Sequence, residues 1–555
     1  MQKLRSRLSP LGNMLSRGDG GRIDRIAARL RRPLDRRYMV RLGALEGVRA
    51  LGREVHGRPG GPRVLMLALR AWPDHNAIEA TLAHALRLRD ADVAVVTCGG
   101  GQPVCELGWS RRAWPRPCDR CGWYTDAWGE ALGIRRYRLA DHLPWGGDGR
   151  RAPARPPAGY EQRAEHLTAY SVPWLLRVAD ASRVPESAEA ARDFAVAAAG
   201  LEHAFAAILD DFAPDIVFGV NGRMAAERTM RDLAQARGLR TPSYEMAPRG
   251  GALTFAQEAP APAYDLDELW SQVGQRELTE PQERAVGDML AGRAEGRGAH
   301  ERYFERAEED RVTLRRELGI PEGTRVVSLF TNLVWDSACL FNDVAYPSMV
   351  DWIAGAVRAT AEVPGTVLVV RVHPAETRWG TRERALDGVL DRLGTLPDHV
   401  RWIPPEQAVS SYAVLDLSDL VLAYASTVGL EAACRGVPVA VGARTHYRGR
   451  GFTIDLGSHE DMRDAVAGRA EMPADRVELA RRYAFAFFFR AMIPFPAVSW
   501  WRGRVTSVPA ATDLEPGRDR YLDWICGRLL DGEPFGLGDG LASPPAAARD
   551  AASAA

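Results

Sequence analysis

Short apolar runs recur along this chain, and each breaks off abruptly into polar, Gly or Pro residues. In the first half they occupy residues 63–69, 93–97 and 215–220, with apolar-periodic helical stretches over 76–88 and 225–237 between and after them. In the second half they occupy 326–330, 367–370 and 420–423, with a helix expected over 347–362. Runs of four to six apolar residues without alternation are how strands buried on both faces read, and strand–helix–strand repetition implies parallel sheets. The pattern predicts an α/β protein with two Rossmann-like domains. In open sheets of this kind, ligands sit in the crevice beyond the carboxyl ends of the strands.

The polar residues that end the runs therefore become the candidate site. The first half offers Asn221 and Arg223 after one run and Glu245 after the next. The second half offers Thr331 and Asn332, then Arg371, His373 and Glu376, then Ser426 and Thr427 with Glu431 one turn later. Arg444, His446 and Tyr447 follow. Ser426 and Thr427 stand where a helix begins, so backbone N–H groups and two hydroxyls could meet phosphate there, or Ser426 could simply cap the helix. Arg371 and His373 add donors from a neighbouring strand end, and Glu431 could accept from a ribose or sugar hydroxyl. His373 could equally be a buried, hydrogen-bonded histidine. Together these residues predict a site for an anionic, nucleotide-linked ligand.

At 555 residues the chain exceeds a single core. The expected divisions are a basic leader over 1–60, a first domain over 61–310 and a second over 311–490. A helical segment over 491–532 and a disordered Gly/Pro/Ala tail over 533–555 complete the chain. Lys+Arg and Asp+Glu both number 72, which removes any overall field for nucleic acid. No run approaches the ~20 apolar residues of a membrane span, and no secretory signal is visible, so a cytoplasmic protein is expected. The leader is nonetheless strongly basic, with Leu and Ile at rough helical spacing. It reads either as a peripheral contact with anionic lipid or a membrane assembly, or as a solvated segment.

The first half has no Gly-x-Gly-x-x-Gly between strand and helix, which argues against a dinucleotide site there. It does hold four of the seven cysteines within 24 residues: Cys98, Cys105, Cys118 and Cys121. Their spacing suggests a structural metal, zinc before iron–sulfur; the alternative is four unrelated small buried hydrophobes.

The segments Phe330-Thr331-Asn332 with Trp335-Asp336, Arg371-Val372-His373-Pro374-Ala375-Glu376, Ser410-Ser411-Tyr412, the stretch from Tyr424 to Ala432 and that from His446 to Asp455 resemble capsular and surface polysaccharide biosynthesis proteins. That family is similar to GT-B glycosyltransferases, among them capsule Kdo transferases and His-Pro-motif bacterial sialyltransferases. The resemblance covers about residues 325–460 well and the first half loosely. It implies a GT-B fold, two Rossmann-like domains facing a central cleft, with the nucleotide-sugar donor in the second domain and a polysaccharide or lipid-linked glycan acceptor in the first. It also implies that His373 contacts the nucleotide and that Ser426 and Thr427 contact phosphate. No Asp-x-Asp follows a strand of the second half, so no catalytic divalent metal is expected. The family's catalytic base has no counterpart motif here, which leaves Asp336 and Glu245 as candidates. A glycosyltransferase is the leading reading. A nucleotide-sugar 2-epimerase, a polyol-phosphate transferase and a non-catalytic nucleotide-sugar-binding component of a capsule assembly complex remain open beside it.

Overall fold

The computed structural model describes residues 36–57, 60–112, 117–297, 310–501 and 503–542. Most of the basic leader and the last thirteen residues of the expected tail lie outside that set.

In the first domain, β1 (Arg63–Leu67), β2 (Asp92–Thr97), β5 (Arg135–Arg138), β6 (Ile216–Val220) and β7 (Ser243–Met246) pair in parallel. β8 (Ala252–Ala256) and β15 (Met492–Pro494) extend that sheet antiparallel, in the order β15-β8-β7-β6-β1-β2-β5. β3 (Val104–Cys105) and β4 (Gly108–Trp109) form a small separate hairpin. Val64, Leu65 and Met66 on β1 are all buried, as a central strand covered on both faces requires.

The second domain holds a wholly parallel sheet. β9 (Arg325–Phe330), β10 (Thr366–Arg371), β11 (Val400–Ile403), β12 (Leu420–Ala423), β13 (Val439–Val441) and β14 (Ile454–Asp455) lie in the order β11-β10-β9-β12-β13-β14. Chain order reverses between β9 and β12, where Phe330 pairs with Ala423. That reversal is the topological switch point at which such sheets open a ligand crevice.

Three boundaries differ from the sequence expectation, each because apolar side chains find a core. Leu45, Val48 and Leu51 repeat at helical spacing on the helix Arg36–Glu54 and are buried, so this part of the expected leader belongs to the first domain. After the helix Arg476–Phe485 the chain crosses back. β15 joins the first sheet, and the helix Arg520–Asp531 lies against the helix Pro73–Arg87 of the first domain. Phe535 and Leu537 are buried, and the Leu537 N–H donates to the Arg490 carbonyl. The start of the expected disordered tail is therefore packed structure.

Candidate functional site

The end of β9 and the start of the helix Thr427–Cys434 face each other at the switch point. Asn332 Oδ1 accepts from the Ala425 N–H at 3.2 Å, and Thr331 Oγ1 accepts from the His373 N–H at 2.9 Å. Ser426 caps the helix by accepting from the Val428 N–H. Ser426 and Thr427 stay half-exposed, so the capping role does not hide the helix N-terminus. His373 Nδ1 accepts from the Ala375 N–H at 3.1 Å. Burial first, and then the charge of Arg371, pull the His373 pKa down to about 4. A neutral ring whose Nδ1 is an acceptor carries its proton on Nε2, so His373 presents a donor.

His446 has the opposite tautomer. Tyr483 Oη donates to the His446 carbonyl at 2.6 Å, so the 3.1 Å contact between Tyr483 Oη and His446 Nδ1 is a bond donated by the ring. Nε2 is then a bare acceptor, buried and without a hydrogen-bond partner among the described residues. Phe487 stacks on the ring at 4.0 Å between centroids, and Tyr264 is tilted against it at 5.5 Å. Burial holds its pKa down at about 3.

Four of the residues expected to bind ligand are scaffold instead. Arg371 is 2% exposed, and its guanidinium donates to the carbonyls of Pro404, Gln407 and Val409. It therefore ties β10 to the loop after β11. Glu376 is buried and accepts from the Ala385 N–H, and burial raises its pKa to about 7. Glu431 is held on one oxygen by Arg293 at 3.0 Å and on the other by Tyr412 Oη at 2.5 Å. Tyr447 is fully buried and donates to the Ser426 carbonyl. Sequence position put all four beside the crevice; only the side-chain directions show them turned inward. Arg444 is exposed.

The opposing wall comes from the first domain. Asn221 takes a left-handed conformation, φ 62°, followed by Gly222 at 87°. This turn is compatible with Asn and Gly but costly for most other residues. It lets Asn221 Oδ1 accept from the Arg223 N–H while Nδ2 donates to Glu245 Oε2 at 2.9 Å. Glu245 Oε1 accepts from the Met246 N–H. Arg223 crosses to the second domain and donates to the Ser337 carbonyl, one residue past Asp336. Burial raises the Asp336 pKa, with Arg223 opposing and Glu245 adding to the rise. Asn221, Arg223, Glu245 and Asp336 thus come from two domains to one neighbourhood.

Sequence reading missed His75, Glu79, Tyr244 and Tyr264. His75 Nε2 lies 3.9 Å from Glu245 Oε1, and its Nδ1 is 3.2 Å from Tyr244 Oη. Tyr244 Oη donates to Glu79 Oε1, and Asn76 Nδ2 donates to Glu79 Oε2. Burial pushes the Glu79 pKa up to about 8 and the His75 pKa down to about 4. The available signal was Pro73-Asp74-His75, polar residues opening a helix directly after β1.

The four cysteines line a single cavity at the end of β2. The expected zinc is not supported: among the described residues no three His, Cys, Asp or Glu side chains converge to hold one ion. No helix among the described residues is long and apolar enough to cross a membrane.

Comparison with solved structures returns sugar-handling enzymes at low similarity. A β-Kdo 2,4-transferase of Thermosulfurimonas dismutans is 17% identical over 48% of this chain and 78% of its own, with a TM-score of 0.34. Sucrose-phosphate synthase of Thermosynechococcus elongatus is 15% identical over 77% and 95%, TM-score 0.29. UDP-GlcNAc 2-epimerase of Neisseria meningitidis is 12% identical over 76% and 98%, TM-score 0.23. No curated protein matches the chain in sequence. By family, the second domain matches the capsule polysaccharide biosynthesis proteins, over residues 318–487.

Proposed function

We propose that this protein is a glycosyltransferase of surface-polysaccharide assembly, moving a sugar from a nucleotide-activated donor to a glycan acceptor without a catalytic divalent metal. The observation that carries the reading is a pair of opposed features at one inter-domain crevice. On the second domain, a neutral His373 with its proton on Nε2 stands beside the open N-terminus of the helix Thr427–Cys434. On the first domain, Glu245 is oriented by Asn221 and the Met246 N–H.

In this reading the nucleotide phosphate sits at the switch point. As the glycosidic bond breaks, charge grows on the leaving phosphate. It is met by His373 Nε2–H, the hydroxyls of Ser426 and Thr427 and the first N–H groups of the helix, all in place beforehand. Glu245 takes the proton from the attacking acceptor hydroxyl. His75 and Arg223 flank that carboxylate, and Asp336 is the second candidate base. The absence of an Asp-x-Asp after any strand of the second domain agrees with this division of labour, and the basic leader suits a cytoplasmic enzyme working at the membrane face.

The test is incubation of the purified chain with CMP-, UDP-, GDP- and CDP-sugars, with and without glycan acceptors. Nucleotide release that depends on acceptor is the expected result. An isomerised donor without acceptor would reassign the protein as an epimerase. Transfer of a polyol phosphate rather than a sugar would make it a polyol-phosphate transferase. Tight binding without turnover would leave a non-catalytic component.

A further inference from the structure

The cysteine cavity lies in the first domain, and the proposed transfer reaction makes no use of it. Three separate elements bring the four sulfurs to it. Cys98 follows β2, Cys105 ends β3, and Cys118 and Cys121 occupy one face of the first turn of the helix Pro117–Leu132. The cavity has a volume of about 20 Å³, and Arg70 and Gln102 also line it. No three metal-binding side chains among the described residues converge on one ion. A zinc ion needs its thiolates at about 2.3 Å from a common centre. A cubane cluster takes its four thiolates from outside, one on each iron.

The backbone is shaped for the same purpose. Gly99 and Gly100 adopt left-handed conformations, φ 71° and 87°, and the turn they make directs the Gly100 and Gly101 N–H groups at Cys98. A Cβ on Gly101 would stand 2.6 Å from Leu143 Cδ1 and 3.1 Å from Ala140 Cα, so any larger residue there needs its neighbours to shift. The Gln102 side-chain amide donates to Cys98 Sγ at 3.6 Å, and the Ala71 N–H donates to Cys121 Sγ at 3.3 Å. Donors aimed at sulfur stabilise cluster thiolates and set cluster properties.

We infer that Cys98, Cys105, Cys118 and Cys121 bind a [4Fe–4S] cluster that cross-links β2, the β3–β4 hairpin and the helix Pro117–Leu132. Each thiol gives up its proton as its sulfur binds an iron, and no electron transfer is involved in binding. The site is also wired to the domain centre. Glu106, next to Cys105, is paired with Arg70 at 2.5 Å and accepts from Ser171 Oγ at 2.5 Å and from the Ala225 N–H.

The probe is a preformed [4Fe–4S] tetrathiolate complex, which enters by ligand exchange and releases its four small thiols to the full-length chain under anaerobic conditions. The expected outcome is a brown protein with about four iron and four sulfide per chain and a raised melting temperature. Cys118→Ser and Cys121→Ser should each lower cluster retention at least tenfold, while Cys526→Ala, at a buried cysteine elsewhere, keeps full iron. Because a serine variant could simply fail to fold, the wild-type stoichiometry stands as an independent criterion. One zinc per chain without sulfide, or no iron uptake by folded wild-type protein, overturns the assignment.

Discussion

Asn221 Nδ2 donates to Glu245 Oε2 over 2.9 Å, so a left-handed residue at the end of β6 fixes the carboxylate at the end of β7. The bond spans adjacent parallel strands and leaves Glu245 half-exposed on the crevice wall. If that carboxylate is the base, Glu245→Gln keeps its size and the Asn221 contact but loses proton affinity. Turnover should fall about 10²–10⁴-fold with nucleotide affinity unchanged by calorimetry. Asp336→Asn should then cost much less; the reverse order would move the base to Asp336.

His373→Ala removes one donor from the leaving phosphate. Loss of one such preorganised donor costs about 10²-fold or more in turnover where solvent is excluded, and we expect at least ~10-fold here. Nδ1 accepts from the Ala375 N–H, so the melting temperature is read in parallel to separate a loss of fold from a loss of catalysis. Normal turnover in a folded variant would take His373 out of the site.

Ser426→Ala combined with Thr427→Val separates capping from phosphate binding. Loss of a cap alone costs about 0.5–2 kcal/mol of stability. We expect nucleotide affinity, measured on folded protein, to drop by more than that stability change. Unchanged affinity with only a lowered melting temperature would reduce both residues to helix capping.

Arg371→Leu should behave the other way. It strands the carbonyls of Pro404, Gln407 and Val409, and each buried polar group left unsatisfied costs about 1–3 kcal/mol. Urea unfolding should show a large loss of stability, while the folded fraction keeps its nucleotide affinity. A selective loss of affinity would return Arg371 to the ligand.

Glu79 supplies a pH signature. Its folded pKa is pushed up to about 8 by burial, above the unfolded carboxylate value. The folded state therefore holds a proton that the unfolded state has lost. Stability from this group is complete below the unfolded pKa and declines as pH rises toward 8, by up to about 1.4 kcal/mol per pH unit. Glu79→Gln, which mimics the protonated acid, should flatten the wild-type decline between those limits. Parallel denaturation curves for both proteins at each pH would sink the assignment.

The apolar runs by themselves determined the central parallel strands of both Rossmann-like sheets and the strand ends that form the crevice, but not β5, an Arg-rich edge strand, or β11. Strands buried on both faces must be continuously apolar, and the polar residues that follow them must lie at the sheet edge. Ser426, Thr427 and His373 were legible for that reason. Which way a side chain turns at a strand end leaves no periodic trace. Arg371, Glu376, Glu431 and Tyr447 share such sequence positions, yet tertiary contacts commit them to backbone carbonyls, an amide N–H, Arg293 and Tyr412. The tautomers of His373 and His446 depend on Ala375 and Tyr483, one local and one 37 residues away. The return of β15 to the first sheet, pairing Ile493 with Leu253, is a choice among exposed sheet edges that only the assembled domains could make.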